Sequence, residues 1–198
     1  MHDQISDVEE PREAEFRLPL HHVILEALAP FGSELAQDPT WPEALLPVAT
    51  NATLYALIDA ARQPFLVETL GASSAKHRCL FSGDTQTELE DVAPWLVALD
   101  PSEVFTRNLF TQNDAQFHLW DHSPGVLIRS DASFDHIWHW CRKLLWVRDK
   151  YDKRFFLRWW DPKCFEITYP ILKGLDAQLR RREFKVEAIV PRAWMAQT

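Results

Sequence analysis

Glycine is scarce in this chain, with five among 198 residues. None builds a phosphate cradle: no GxGxxG follows an apolar strand pattern, and no P-loop, GxSxG elbow or HExxH helix is present. Cysteine is also sparse, with three residues, Cys79, Cys141 and Cys164, far apart and without a CxxC pair. That usage fits a reducing compartment rather than a disulfide scaffold. No apolar run approaches membrane-spanning length. The opening MHDQISDVEEPREAEF has no basic stretch leading into an apolar one, so no secretory signal is read. Positive charge is in deficit, 21 basic against 29 acidic residues, for a formal charge of −8. Such a balance argues against a phosphate-binding surface and hence against nucleic acid. The expectation is a cytoplasmic protein with neither nucleic-acid nor membrane partners.

What is abundant is apolar and aromatic. The chain is 46% hydrophobic and carries nine tryptophans and twelve phenylalanines, enough to bury a full core in one domain. Large aromatics are enriched both in cores and at protein contacts.

The densest stretch is RFFLRWWDP, Arg154 to Pro162. It reads as a strand entering a helix, with Asp161 as N-cap and Pro162 at the first helical position, where a missing N–H costs nothing. Arg158 inside this run must reach solvent on the outer face of an alternating strand or meet a carboxylate, because a buried unpaired charge is costly. Asp59 and Asp161 are the candidate partners.

In chain order, residues 1–18 read as a flexible acidic arm, and 19–52 as a helix over Leu20–Leu28 followed by a proline-broken lead-in. His21 and His22 are adjacent and point in different directions. Residues 53–198 read as an α/β domain with a C-terminal helical and strand extension. LYALI, Leu54 to Ile58, has the continuous apolar character of a buried central strand. A helix then starts at Pro64 and stops at Gly71, and strands follow at Cys79–Phe81 and Ala93–Leu99. Asp100, Pro101 and Glu103 make a capping-box arrangement for a helix running to about Phe110. Gly125 to Ile128 is another strand. Ser133 caps a helix whose stripe is Phe134, Ile137, Trp138, Cys141, Leu144 and Leu145; its opposite face carries His136, His139, Trp140 and Lys143. Trp146–Asp149 and Arg154–Trp160 flank a polar turn and predict a hairpin. After Pro162 come helical residues interrupted by Pro170 and Gly174, then a strand through Phe184, Val186, Ala188 and Val190. The fold class is α/β: a mixed sheet with flanking helices, closed by an antiparallel hairpin, with helical N- and C-terminal extensions.

Catalytic signals are weak. His136 and His139, at i and i+3, share a helix face and could supply two metal ligands, but Cys141 belongs to the buried stripe, and structural zinc takes four ligands. Asp59, Asp121 and Asp161 could form an acid/base pair, yet each has a simpler role as strand terminator, turn residue or cap. No catalytic residue, cofactor or metal is assigned. The alternative is a small cytoplasmic α/β enzyme, possible in chemical terms as a metal-dependent hydrolase.

Six motifs recur in order: LYALIDAA (Leu54–Ala61), CLFSG (Cys79–Gly83), VAPWLV (Val92–Val97), GVLIRS (Gly125–Ser130), HWCRKLLWV (His139–Val147) and FLRWWDP (Phe156–Pro162). As an ordered set, covering about Thr53 to Leu172, they resemble the type VI secretion adaptor family, the Tap or Tec chaperones. The resemblance implies a non-enzymatic bacterial protein that binds a toxic effector and helps load it onto the VgrG spike. It maps the family's first-strand Tyr and Asp onto Tyr55 and Asp59, and its Arg-aromatic-aromatic-Asp-Pro signature onto Arg158, Trp159, Trp160, Asp161 and Pro162, as a structural latch or a partner contact. His136, His139, Trp140 and Lys143 are further partner-binding candidates, with Trp140 as the expected exposed anchor. The segment before Thr53 and the basic run Arg180–Arg182 are alternative seats of partner specificity.

Overall fold

One strand, β1 (Thr53–Asp59), organises the molecule. Every residue of it after Thr53 is buried, as its unbroken apolar sequence predicts for a strand covered on both faces. The computed structural model describes residues 52–100, 102–111, 115–165, 167–168, 186–190 and 194. The expected acidic arm, the Leu20–Leu28 helix, the proline-rich lead-in, the segment around Pro170 and Gly174, and the basic run lie outside the described residues.

After β1 come α1 (Leu66–Gly71), β2 (His77–Cys79), α2 (Asp84–Leu89), β3 (Pro94–Leu99), α3 (Val104–Leu109), β4 (Gly125–Ser130), α4 (Phe134–Lys143), β5 (Trp146–Arg148), β6 (Arg154–Phe156) and β7 (Val186–Ile189). The α/β class holds. Five strands form one sheet in the order β2-β3-β1-β4-β7, and β5 and β6 pair as a separate two-stranded sheet.

All ladders among the described residues are antiparallel, where the strand-helix alternation predicts a mixed sheet. The reason lies in β1. Because β1 is antiparallel to both β3 and β4, those two run in the same direction, and the connection through α3 is long enough for a parallel crossover. β1 occupies the slot between them, giving a split βαβ arrangement. The hairpin likewise pairs antiparallel but does not close the main sheet, since β7 takes the free edge of β4.

β4 approaches β1 very closely at Gly125. A Cβ there would lie 1.9 Å from the Leu57 carbonyl oxygen, so only glycine lets the Ile58↔Gly125 register form. The adjoining Asp59 N–H donates to the Pro124 carbonyl at 2.9 Å and continues the ladder past the strand end.

Helix α4 forms as its pattern predicts. Ser133 accepts from the His136 N–H at 3.4 Å, and Phe134, Ile137, Trp138, Cys141, Leu144 and Leu145 are all buried. The Tyr55 hydroxyl donates to the Ala132 carbonyl at 2.8 Å just ahead of the helix, and the Trp138 indole N–H donates to the Cys79 carbonyl at 2.8 Å. The helix is thereby pinned to the central strand at one end and to edge strand β2 along its length.

Three boundaries differ from the sequence pattern. β2 spans His77–Cys79 and ends where the Cys79–Phe81 strand is expected to begin, because the chain turns there, with the Phe81 N–H donating back to Cys79 Sγ at 3.3 Å. α3 begins at Val104, with Glu103 as N-cap residue, instead of at Pro101. The capping box does not assemble: Asp100 accepts from the Ser102 N–H and hydroxyl at 2.8 and 2.7 Å, while the Glu103 carboxylate accepts from Ser74 at 2.7 Å. Those bonds from Ser102 hold the Asp100 carboxyl below its ordinary pKa. β6 ends at Phe156 rather than running to Trp160. Successive strand side chains point to opposite faces, whereas Trp159 and Trp160 are both buried, at 0% and 1% exposure. The chain turns instead, with the Asp161 N–H donating to the Arg158 carbonyl at 3.2 Å.

Two outcomes follow from this packing. Gly125→Ala should lower stability by about 1–3 kcal/mol through overpacking against backbone, read as a drop in urea midpoint; an unchanged midpoint would contradict the β1–β4 register. Burial pushes the Cys79 thiol up to about 11 and the Cys141 thiol higher still, while Cys164 is exposed. Ellman's reagent near neutral pH should therefore titrate Cys164 quickly in the native protein, and Cys79 and Cys141 only on unfolding.

Candidate functional site

β1 ends on a buried carboxylate. The Asp59 side chain is 1% exposed, and its Oδ1 accepts from the Ala61 N–H at 3.2 Å, capping the short 3-10 turn Ala60–Arg62. Its Oδ2 accepts from Arg158 Nη2. This pair joins the end of the central strand to the segment following the hairpin.

A second pair crosses the same gap with the charges exchanged. Arg62 Nη1 donates to Asp161 Oδ1 at 3.2 Å, and the same oxygen accepts from the Lys163 N–H at 3.0 Å, so Asp161 caps the turn Pro162–Cys164 with Pro162 at its start. Both pairs span a sequence separation of 99. Arg62 is not among the expected partners, yet the sequence holds its signal: Asp-x-x-Arg at 59–62 is the charge mirror of Arg-x-x-Asp at 158–161.

Between the charged ends of the second segment lie the two indoles. Trp159 packs edge-on against Trp140, with centroids 5.6 Å apart, and Trp160 packs against Phe156 at 5.7 Å. Neither indole N–H of Trp159 or Trp160 has a partner among the described residues. The structure thus brings Asp59, Arg158, Trp159, Trp160, Asp161 and Pro162 together, whereas Tyr55 lies further back along β1 beside Phe134, its hydroxyl pKa raised by burial. The carboxylates at this site are committed to guanidinium and backbone N–H donors, an arrangement suited to fixing chain geometry.

The α4 candidates divide. His136, His139 and Lys143 are exposed. Trp140 is not the exposed anchor that its helix position predicts: it is 7% exposed. A helix covered on one side only would leave it free, but the WW segment folds under α4 and Trp159 seals it. His136 Nδ1 lies 3.1 Å from Ser133 Oγ, and the His139 ring packs on Trp138 with centroids 4.8 Å apart. Among the described residues no group of three or more His, Cys, Asp or Glu side chains could hold a metal ion. Asp121 lies exposed in the turn Trp120–His122.

Two exposed aromatics meet at a groove. Trp146 and Phe156 are paired across the hairpin, 44% and 39% exposed, and with Leu80, Phe81, Leu89 and Leu145 they line a groove of about 620 Å3 between α2, α4 and β5–β6. Arg142 and Arg154 also line it, and both continue into an adjoining cleft of about 330 Å3 with His139 and Lys143. The sequence reading does not identify this groove, because its residues come from three separate stretches.

Residues 54–181 match the family described as a domain of unknown function, DUF4123. The chain belongs to the DUF4123 family. The match takes in β1 from Leu54 on, the reciprocal charge pairs and the groove, so the latch and the groove lie within the DUF4123 domain. No curated protein and no solved structure matches the chain. No described helix is long and apolar enough to cross a membrane.

The two partners of the Asp59–Arg158 pair differ in what their loss exposes. Arg158→Ala leaves Asp59 buried without its guanidinium and should cost about 3 kcal/mol, the low end for a broken buried pair because Arg158 is itself 46% exposed. Asp59→Asn frees only a side chain that already touches water and should cost less. The double variant should recover part of the Arg158→Ala loss. Additive urea-denaturation energies across this cycle would show that the pair is not coupled.

Proposed function

We propose that this protein is a non-enzymatic cytoplasmic adaptor that binds a type VI secretion effector and helps load it onto the VgrG spike. The observation that carries the reading is the DUF4123 match over residues 54–181, which overlaps the ordered motif set resembling the Tap or Tec adaptors. The surface chemistry supports it: the exposed rings of Trp146 and Phe156 line one groove, and large aromatics are the usual anchors of protein contacts. The candidate contact residues are redistributed accordingly. His139 and Lys143 stay beside the groove, whereas Trp140, Trp159 and Trp160 support it from within.

Co-expression of the tagged full chain with the proteins encoded beside its gene tests the adaptor reading. An effector should co-elute, and the adaptor should be missing from the secreted fraction that contains that effector. A folded bait that retains neither effector nor spike component would sink the proposal. Near-stoichiometric zinc surviving dialysis, and lost in His139→Ala, would instead favour the hydrolase alternative.

A further inference from the structure

We propose that the groove between α2, α4 and the β5–β6 hairpin receives an acidic segment of the partner protein, seated by large apolar side chains. The inference rests on the adaptor reading only for which protein carries that segment.

The groove is apolar at its floor and cationic at its rim. Leu80, Phe81 and Leu145 form the floor, and rings stacked against one another stiffen the hairpin wall: Phe156 lies 5.0 Å from Trp146 and 5.9 Å from Phe81. Directly opposed residues of an antiparallel pair share a face. Trp146↔Phe156 and Arg148↔Arg154 therefore put aromatic and guanidinium groups on one side of the hairpin. The Arg154 guanidinium lies 3.9 Å from the Trp146 ring centroid and meets no carboxylate among the described residues. Arg142 is held over Trp138 at 4.5 Å and by its bond to Ser82 Oγ at 2.9 Å. Lys143 extends the positive rim into the adjoining cleft, which His139 also lines.

No aspartate or glutamate lines either cavity, in a chain whose formal charge is −8. That local inversion sets the occupant's sign. The aliphatic floor and wall set the rest, since Leu80, Leu89 and Leu145 offer nothing to a sugar-phosphate chain, and the acidic remainder of the protein repels a long polyanion. An acidic polypeptide segment with leucine or aromatic anchors satisfies both.

A phage-displayed random peptide library panned on the immobilised full chain tests this directly, followed by anisotropy titration of the selected peptides. Enriched peptides should combine Asp or Glu with Leu, Phe or Trp. Arg154→Glu, at an exposed position that should leave the fold intact by circular dichroism, should weaken them by about tenfold or more. Phe156→Ser should weaken them similarly, and exchanging the peptide acids for lysine should restore binding to Arg154→Glu. Selection without acidic enrichment, or binding indifferent to Arg154→Glu, would overturn the proposal. So would an oligo-dT probe that outcompetes the peptides, or photo-crosslinks from benzoylphenylalanine in place of Thr85 that land within the chain's own residues 1–18 or on a second copy. An effector that co-purifies equally with wild type and Arg154→Glu would remove the groove and leave the adaptor reading standing. Acid-dependent peptide binding without any co-purifying effector would do the reverse.

Discussion

A carboxylate that cannot reach water governs this structure. Asp59 ends the central strand with its side chain 1% exposed, and a buried carboxylate requires hydrogen-bond donors. It finds them in the Ala61 N–H and in Arg158, which follows the hairpin. The route of the chain after β6 is therefore fixed from the strand end, and the mirrored pair Arg62–Asp161 fixes it a second time. One exposed ion pair contributes little. Two pairs of opposite polarity bridging the same gap define a direction as well as a distance, because sliding the segment by one residue would break both.

The aromatic packing depends on that placement. With Arg158 and Asp161 tied down, Trp159 and Trp160 have only the interior to occupy, and they fill it against Trp140 and Phe156. Their indole N–H groups have no partner among the described residues, a desolvation cost that the apolar area of two tryptophans offsets. α4 is consequently covered on a side that its own amphipathic pattern leaves polar.

How much of this was legible in the sequence depended on whether the cause was local. The β1 run, the Ser133 and Asp161 caps and the α4 stripe each follow from residues a few positions apart, and all are present. So is the α/β class. Antiparallel pairing throughout was hidden because strand order is not a local property: the β3–β4 crossover was readable, but not that β1 sits inside it. The capping box at Asp100 failed because Ser74, distant in sequence, offered Glu103 a competing hydroxyl. Trp140 was misplaced for a similar reason. Helical periodicity tells which side of a helix faces the sheet, and nothing in it records that another segment will come underneath. Of the reciprocal pairs, Arg158 with its two candidate acids was visible, and Arg62 required reading DAAR and RWWD as complementary.

The groove joins these levels. Its hairpin wall ends at Phe156, two residues before Arg158, and Leu157 between them is held by its N–H donating to the Leu145 carbonyl at 2.8 Å. Phe156 is further pinned by Trp160, whose own position follows from the latch. The exposed ring wall is thus rigid at its base although both faces of the hairpin touch solvent. A wall held in place before a partner arrives spares the complex the cost of ordering it, which is where affinity is commonly lost at aromatic interfaces. The residues of the latch therefore serve the groove without lining it: Asp59, Arg158, Trp159 and Trp160 hold the frame, while Trp146, Arg154 and Phe156 present the face.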